Sequence, residues 1–264
     1  MILTSPDSLG YVPKKIISLV PSQTELLYYL GLERETIGIT KFCIHPEAWF
    51  KTKTRIGGTK SLNIEKINEL GPDLIIANTE ENVKEQVELL AQNFPVWVTD
   101  VIDLNDSIKM INNIGQLVGK EPKATDLQSR VKNKFNAFGN VVASIKRPLI
   151  PAAYLIWREP IMTIGGDTFI NDMMKRCGFQ NIFETSTRYP ITSIDELKQM
   201  GCKLLLLSSE PFPFGEKHIA EFEEKLPGVK IILADGEMFS WYGSRLLEAT
   251  GYFGRLVREL KMNN

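Results

Sequence analysis

The chain holds 264 residues, of which 43% are hydrophobic and 24% charged, an ordinary balance for a globular protein. Its 31 basic and 32 acidic residues leave a formal net charge of −1. That balance argues against a non-specific nucleic-acid binder and against a polybasic membrane-surface protein. No apolar run approaches the roughly 18–20 residues that span a bilayer, so no direct membrane insertion is expected. The three cysteines, Cys43, Cys177 and Cys202, are an odd number and widely spaced, so buried reduced thiols are expected rather than a disulfide framework.

Ile16-Ile17-Ser18-Leu19-Val20 reads as a short buried strand. Pro21-Ser22-Gln23-Thr24-Glu25 then opens a helix, with Ser22 expected as N-cap, and the helix stops at Gly31. A strand at Ile37–Thr40 precedes a long irregular stretch, Lys41 to Ser61, carrying His45-Pro46, Trp49 and Gly57-Gly58-Thr59. Helices are expected over Ile64–Leu70, Glu80–Ala91 and Asp106–Val118, with strands at Asp73–Ala77 and Val96–Val98. From Glu121-Pro122 to Ile145 the rhythm breaks: Leu127, Val131, Phe135, Phe138 and Val142 recur at helical spacing, which predicts one helix of about seven turns. A strand around Ala152–Ile156 resumes the alternation. Strands alternating with helices predict an α/β class with parallel sheets.

The second half echoes the first. Glu69-Leu70-Gly71-Pro72-Asp73-Leu74 resembles Lys198-Gln199-Met200-Gly201-Cys202-Lys203-Leu204, and Thr79-Glu80 falls where Ser209-Glu210 falls. Two α/β lobes are therefore expected, residues 1–120 and 148–264, joined by a linker helix over 121–147. A ligand cleft is expected between the lobes.

Enzyme signatures are absent: there is no phosphate loop, GxGxxG, GxSxG or HExxH motif. With only His45 and His218, no histidine-rich metal site is expected. His218 reads as a solvated residue of a charged helix, and His45 with Cys43 offers two soft-metal ligands without a third. Gly57-Gly58-Thr59 and Gly165-Gly166-Asp167 could serve tight turns or cradle an anion through backbone N–H groups. The richest stretch is Asp235 to Arg245, with Met238, Phe239, Trp241 and Tyr242; it reads either as a binding loop or as a core plug against the long helix. Trp157-Arg158, Trp49 and Arg188-Tyr189-Pro190 repeat the theme of aromatics and arginines at strand exits. Such residues suit a large, flat, partly apolar ligand.

In order and spacing these landmarks resemble the substrate-binding proteins of cobalamin and ferric-siderophore ABC importers, whose lobes are joined by one long helix. The quoted residues are Ile17 to Leu26, Asn63-Ile64-Glu65-Lys66-Ile67, Gly71 to Ile75, Cys177 to Phe183, Tyr189 to Ser193 and Met238 to Arg245. The resemblance covers about Lys15 to Leu260. It implies a non-enzymatic protein that binds a metal chelate and delivers it to a permease, without resident cofactor or metal, as a monomer.

The implied ligand contacts are Pro21, Ser22, Phe42, Cys43, His45, Gly57, Gly58 and Thr59 in the first lobe. The second lobe adds Trp157, Tyr189, Met238, Phe239, Trp241 and Arg245; Trp49 and Arg158 join them from the reading of the residues. A cobalamin-binding tryptophan of the family is replaced by Ile56-Gly57, and Trp49 stands a few residues upstream. One exposed glutamate per lobe would dock a permease: Glu65 in the first, Glu224 or Glu221 in the second. The family implies a periplasmic location, yet Met1-Ile2-Leu3-Thr4-Ser5-Pro6-Asp7 carries no basic n-region or apolar h-region, which leaves as the alternative a cytoplasmic corrinoid- or metal-chelate-handling protein or enzyme on the same fold, not coupled to transport. A further alternative is coordination of a metal or haem by His45 or Cys43.

Overall fold

The computed structural model describes residues 1–146 and 148–262, with side chains through 260. It divides into two compact units. The first comprises Met1–Val101, Asn105–Lys132 and Tyr242–Arg245; the second comprises Ile102–Leu104, Asn133–Trp241 and the chain from Leu246 onward.

In chain order the first unit contains β1 (Ile16–Ser18), α1 (Pro21–Leu30), β2 (Thr36–Ile39), α2 (Glu47–Thr52), β3 (Thr54–Arg55), β4 (Gly57–Gly58) and β5 (Ser61–Leu62). It continues with α3 (Ile64–Leu70), β6 (Leu74–Asn78), α4 (Lys84–Ala91), β7 (Val96–Thr99) and α5 (Leu104–Leu117). Its parallel sheet runs β3-β2-β1-β6-β7. Ile17, Leu19, Ile75, Ala77 and Val96 form one buried face with Ile56, Ile67 and Leu90, and Ile16, Leu74 and Ile76 between them are buried too, the continuous apolar pattern of strands covered on both sides.

Two local readings are corrected. Ser22 does not cap α1: extended Val20 is the N-cap and Pro21 sits at the first helical position, where its missing N–H costs nothing. The helix expected from Glu80 begins only at Lys84. The Asn78 carboxamide oxygen accepts the N–H groups of Glu80 and Glu81, and Asn82 Oδ1 accepts that of Asn78, so side chains replace the first helical turn. The irregular stretch resolves into α2, β3 and the antiparallel hairpin β4–β5. Gly57 is required in it: φ is +100°, and a Cβ there would lie 2.4 Å from Ser61 O.

The long helix α6 (Glu121–Ser144) runs from the first unit into the second. Leu127, Val131, Phe135 and Phe138 are buried along it at the expected spacing. The second unit continues with β8 (Ile150–Leu155), α7 (Phe169–Arg176), β9 (Phe179–Asn181), α8 (Ile194–Gln199), β10 (Leu204–Ser208) and α9 (Glu216–Lys225), then β11 (Lys230–Ala234), α10 (Gly236–Ser240) and α11 (Leu246–Met262). Its sheet, also parallel, runs β11-β10-β8-β9 over a core of Leu155, Leu205, Leu207 and Phe222. The α/β class with parallel sheets is as the sequence led us to expect. So is the repeat: Asn63 caps α3 as Ser193 caps α8, and Gly71 and Gly201 end the two helices with left-handed φ of +56° and +68°.

Candidate functional site

In each parallel sheet the loops after the strands leave from one edge, the edge where α/β folds place their ligands. In the first unit Pro21 and Ser22 open α1 directly after β1, Phe42 to His45 follow β2, and Gly57-Gly58-Thr59 follow β3. A Cβ on Gly58 would lie 3.2 Å from both the Phe42 ring and the Lys41 side chain, so the bare glycine is what lets them close over it. Phe42 is 50% exposed, with the Lys41 ammonium 5.1 Å from its ring centroid. Asn82 ties this region together by donating to Leu19 O at 3.3 Å and Thr59 O at 3.1 Å.

Two predicted contacts of this unit are core residues. Cys43 is buried between the hydroxyls of Thr24 (3.1 Å) and Thr40 (3.2 Å), and burial pushes its thiol up, so it packs as a neutral group rather than as a thiolate ligand. Trp49 is buried edge-on against Tyr28 at 5.4 Å. His45 is half-buried on the same loop. Among the described residues no group of three or more His, Cys, Asp or Glu could hold a metal ion.

In the second unit Trp157 and Arg158 follow β8, Tyr189 lies between β9 and α8, and Met238 and Phe239 lie in α10 after β11. Isolated antiparallel bridges join Trp157 to Met162 and Met162 to Ile191, which stiffens this edge. Arg158 is ion-paired to Glu221, which also holds Lys225 at 2.6 Å. The Lys225 hydrogen bond first, and Arg158 with it, keeps the Glu221 carboxyl below the usual carboxylate range.

Phe239 takes the core alternative: it is fully buried, 4.8 Å from Phe253 and 5.2 Å from Tyr154, while Phe253 packs on Phe138 of α6 at 5.9 Å. The Gly165-Gly166 turn is not an anion cradle, because its N–H groups donate to Arg188 O at 2.7 Å and Ser186 O at 2.9 Å. His218 is not solvated: it is buried against Phe212 and Phe214, and its Nδ1 accepts the Gly215 N–H at 2.9 Å. Arg245 belongs to the first unit, where it pairs with Glu25.

The sequence reading did not single out Glu210, which holds Trp241 in place. Its Oε1 accepts the Ser240 hydroxyl at 2.7 Å and the Trp241 indole N–H at 2.9 Å, which fixes the indole behind the loop after β11. The alignment of Ser209-Glu210 with Thr79-Glu80 was the available signal. Burial pushes this carboxyl up, and Glu237 and Asp235 add to the effect. The native state therefore binds its proton more tightly than the unfolded chain, whose carboxylates titrate near pH ~4.3. Stability from this group is complete below that pH and declines as pH rises through the higher native value. Glu210→Gln is thus expected to gain stability relative to wild type at about pH 7.5 compared with about pH 4.5. Urea midpoints at both pH values measure this; a wild-type-to-variant difference that ignores pH contradicts it.

Two α/β units with parallel sheets, with aromatic and polar side chains gathered on their strand-exit loops, describe a class of small-ligand binding proteins. Comparison with known proteins sharpens that class. The family model for periplasmic binding proteins matches residues 16–228. The chain belongs to this family. It is 31% identical over 170 residues to the uncharacterized ABC transporter substrate-binding lipoprotein YvrC of Bacillus subtilis (strain 168), a match covering 61% of this chain and 53% of that protein. It is 28% identical over 205 residues to the vitamin B12-binding protein of Vibrio vulnificus (strain CMCP6), covering 75% and 72% of the two chains. The crystal structure of the periplasmic vitamin B12-binding protein BtuF of Vibrio cholerae superposes with a TM-score of 0.80 at 21% identity, covering 94% of this chain and 98% of that one.

Proposed function

We propose that this chain is the substrate-binding component of an ABC importer for a metal chelate, a corrinoid or a ferric siderophore. It would act outside the cytoplasmic membrane and deliver the ligand to a permease. The observation that carries the reading is the family match together with large exposed aromatics on the strand-exit loops of both units, Phe42 and Trp157. Aromatic faces give broad contact area to a flat chelate at little entropic cost. His45 supplies a polar contact on the loop that carries Phe42, Tyr189 supplies another in the second unit, and Met238 adds apolar surface there.

For permease docking we propose Glu65 and Asp195. Each is the second residue of a capped helix, each is exposed, and they lie at the 130-residue offset that also relates Gly71 to Gly201. Exposure alternates identically through residues 63–69 and 193–199. Glu221 is engaged by Arg158 and Lys225, and Glu224, though exposed, lies on α9 and not at the position that repeats Glu65. Rim charges of this kind set encounter and orientation.

The test is a tryptophan-fluorescence titration with cyanocobalamin and, in parallel, a ferric hydroxamate. Trp157 is 40% exposed, whereas Trp49, Trp97 and Trp241 are 1%, 7% and 6% exposed, so Trp157 should carry the quenching. Saturable quenching at ~1 μM or tighter, about −8 kcal/mol of binding, is expected with one of the two ligands. It should largely vanish in Trp157→Phe while calorimetric binding persists. Silence towards both ligands by calorimetry as well as fluorescence overturns the reading.

A further inference from the structure

The second unit carries a cavity of about 460 Å³ bounded by the loop after β8, the loop after β10 and the first turns of α9. That is within the ~300–1,000 Å³ of small-molecule sites. Two of its walls are aromatic, Trp157 and Phe212, edge-on to each other at 5.8 Å and 72°. The Trp157 indole N–H already donates to Glu159 O at 3.0 Å, so what this exposed residue offers a ligand is ring surface.

A third wall is His218. Because its Nδ1 accepts the Gly215 N–H, the ring proton sits on Nε2, and that N–H is the donor it has left. The charges are uneven. Glu221 serves both Arg158 and Lys225, and Glu159 reaches Arg158 at 3.6 Å. Lys217 is exposed, lines the cavity and makes no ion pair among the described residues. Arg158, Lys217 and Lys225 against Glu159 and Glu221 leave one positive charge over, and Lys217 carries it.

A purely apolar ligand would have no use for that cation, and an inorganic anion would have none for two aromatic walls. We propose that this cavity binds an aromatic ring bearing an anionic oxygen, a carboxylate or a phenolate. The ring lies against Trp157 and Phe212, and the oxygen meets Lys217 Nζ and the His218 Nε2–H, a charge-assisted arrangement. The inference rests on the chelate reading for what the ring belongs to, an aromatic arm of the captured ligand.

The test uses the full chain and titrates salicylate, catechol and, as a neutral ring, benzyl alcohol, by calorimetry. Salicylate or catechol is expected to bind at one site per chain, and benzyl alcohol about tenfold more weakly or not at all. Lys217→Gln, a substitution on the surface that cannot disturb the core, should weaken the anionic ring about tenfold, and Trp157→Ala at least as much with an unchanged circular dichroism spectrum. Catechol is neutral at about pH 7, so binding of salicylate without catechol identifies the carboxylate, and binding of catechol with release of a proton identifies the phenolate. Absence of binding, equal affinity for benzyl alcohol, or unchanged affinity in Lys217→Gln overturns the proposal. The failure of the chelate reading looks different: salicylate or catechol would bind through Trp157 and Lys217 while cyanocobalamin and the ferric hydroxamate do not. If a chelate binds and the ring anions do not, the chelate reading stands and this inference falls.

Discussion

Arg245→Ala is expected to destabilise the protein by about 3 kcal/mol, the lower end of what breaking a buried ion pair costs. Arg245 meets Glu25 through two parallel contacts, Nη2 to Oε1 at 2.9 Å and Nε to Oε2 at 3.1 Å. The guanidinium side chain is 9% exposed and the carboxylate 20%, so a little water still reaches Glu25, which holds the cost down. Arg245 closes the segment Tyr242–Arg245, which belongs to the first unit. The same segment is anchored by the Gly243 N–H on Ser107 Oγ at 3.2 Å and by burial of Tyr242. Removing the arginine leaves Glu25 charged, largely desolvated and short of its partner. The double variant Glu25→Gln, Arg245→Met leaves no charge behind and should recover most of the loss. Urea unfolding of the two variants measures both effects. Faster hydrogen exchange at the Gly243 amide should accompany the single substitution. A loss below ~0.5 kcal/mol would make this an ordinary surface pair and refute the argument.

Much of this architecture was legible because periodicity and punctuation agree in it. The stripe Leu127, Val131, Phe135, Phe138 specified α6, and Gly31, Gly71 and Gly201 marked helix ends that are left-handed in the structure. What was not legible is where competing polar groups decide. Asn78 and Asn82 delay α4 by hydrogen bonds that no apolar pattern encodes. His218 sits among charged residues in sequence, yet its ring fills a space between Phe212 and Phe214, because its Nδ1 satisfies an N–H at the start of α9. In the stretch from Asp235 to Arg245, composition announced aromatic surface but not its direction. Phe239 faces Tyr154 and Phe253, Trp241 faces Glu210, and Met238 alone among the predicted contacts there stays part-exposed. Direction depends on partners far along the chain, so a single sequence could name these residues without dividing them between core and ligand.

Gly166→Ala is expected to cost about 3 kcal/mol, while Gly139→Ala is expected to gain about 0.5–1 kcal/mol. The two glycines differ in what surrounds them. A Cβ on Gly166 would lie 2.0 Å from Glu184 O, a backbone atom that cannot swing aside. That carbonyl belongs to a loop pinned on both sides: Gly166 N–H donates to Ser186 O at 2.9 Å, Asn171 Nδ2 donates to Gly166 O at 2.8 Å, and Glu184 N–H donates to Asn181 O at 3.2 Å. The methyl group must therefore push the 184–188 backbone outward. Thr163 N–H, held on Pro190 O at 3.0 Å, transmits the shift to Tyr189, so chelate affinity should fall along with stability. Gly139 is the opposite case. It lies mid-helix on an exposed face of α6, and a Cβ there would meet nothing within 4 Å. Alanine then only removes backbone freedom from the unfolded chain and leaves affinity unchanged. Thermal or urea unfolding of both variants, with a cyanocobalamin or ferric-hydroxamate titration of each, tests the pair. Equal stability of Gly166→Ala and wild type would mean that the 184–188 loop yields freely, and the diglycine would then be a convenience of the turn rather than the close contact that positions Tyr189.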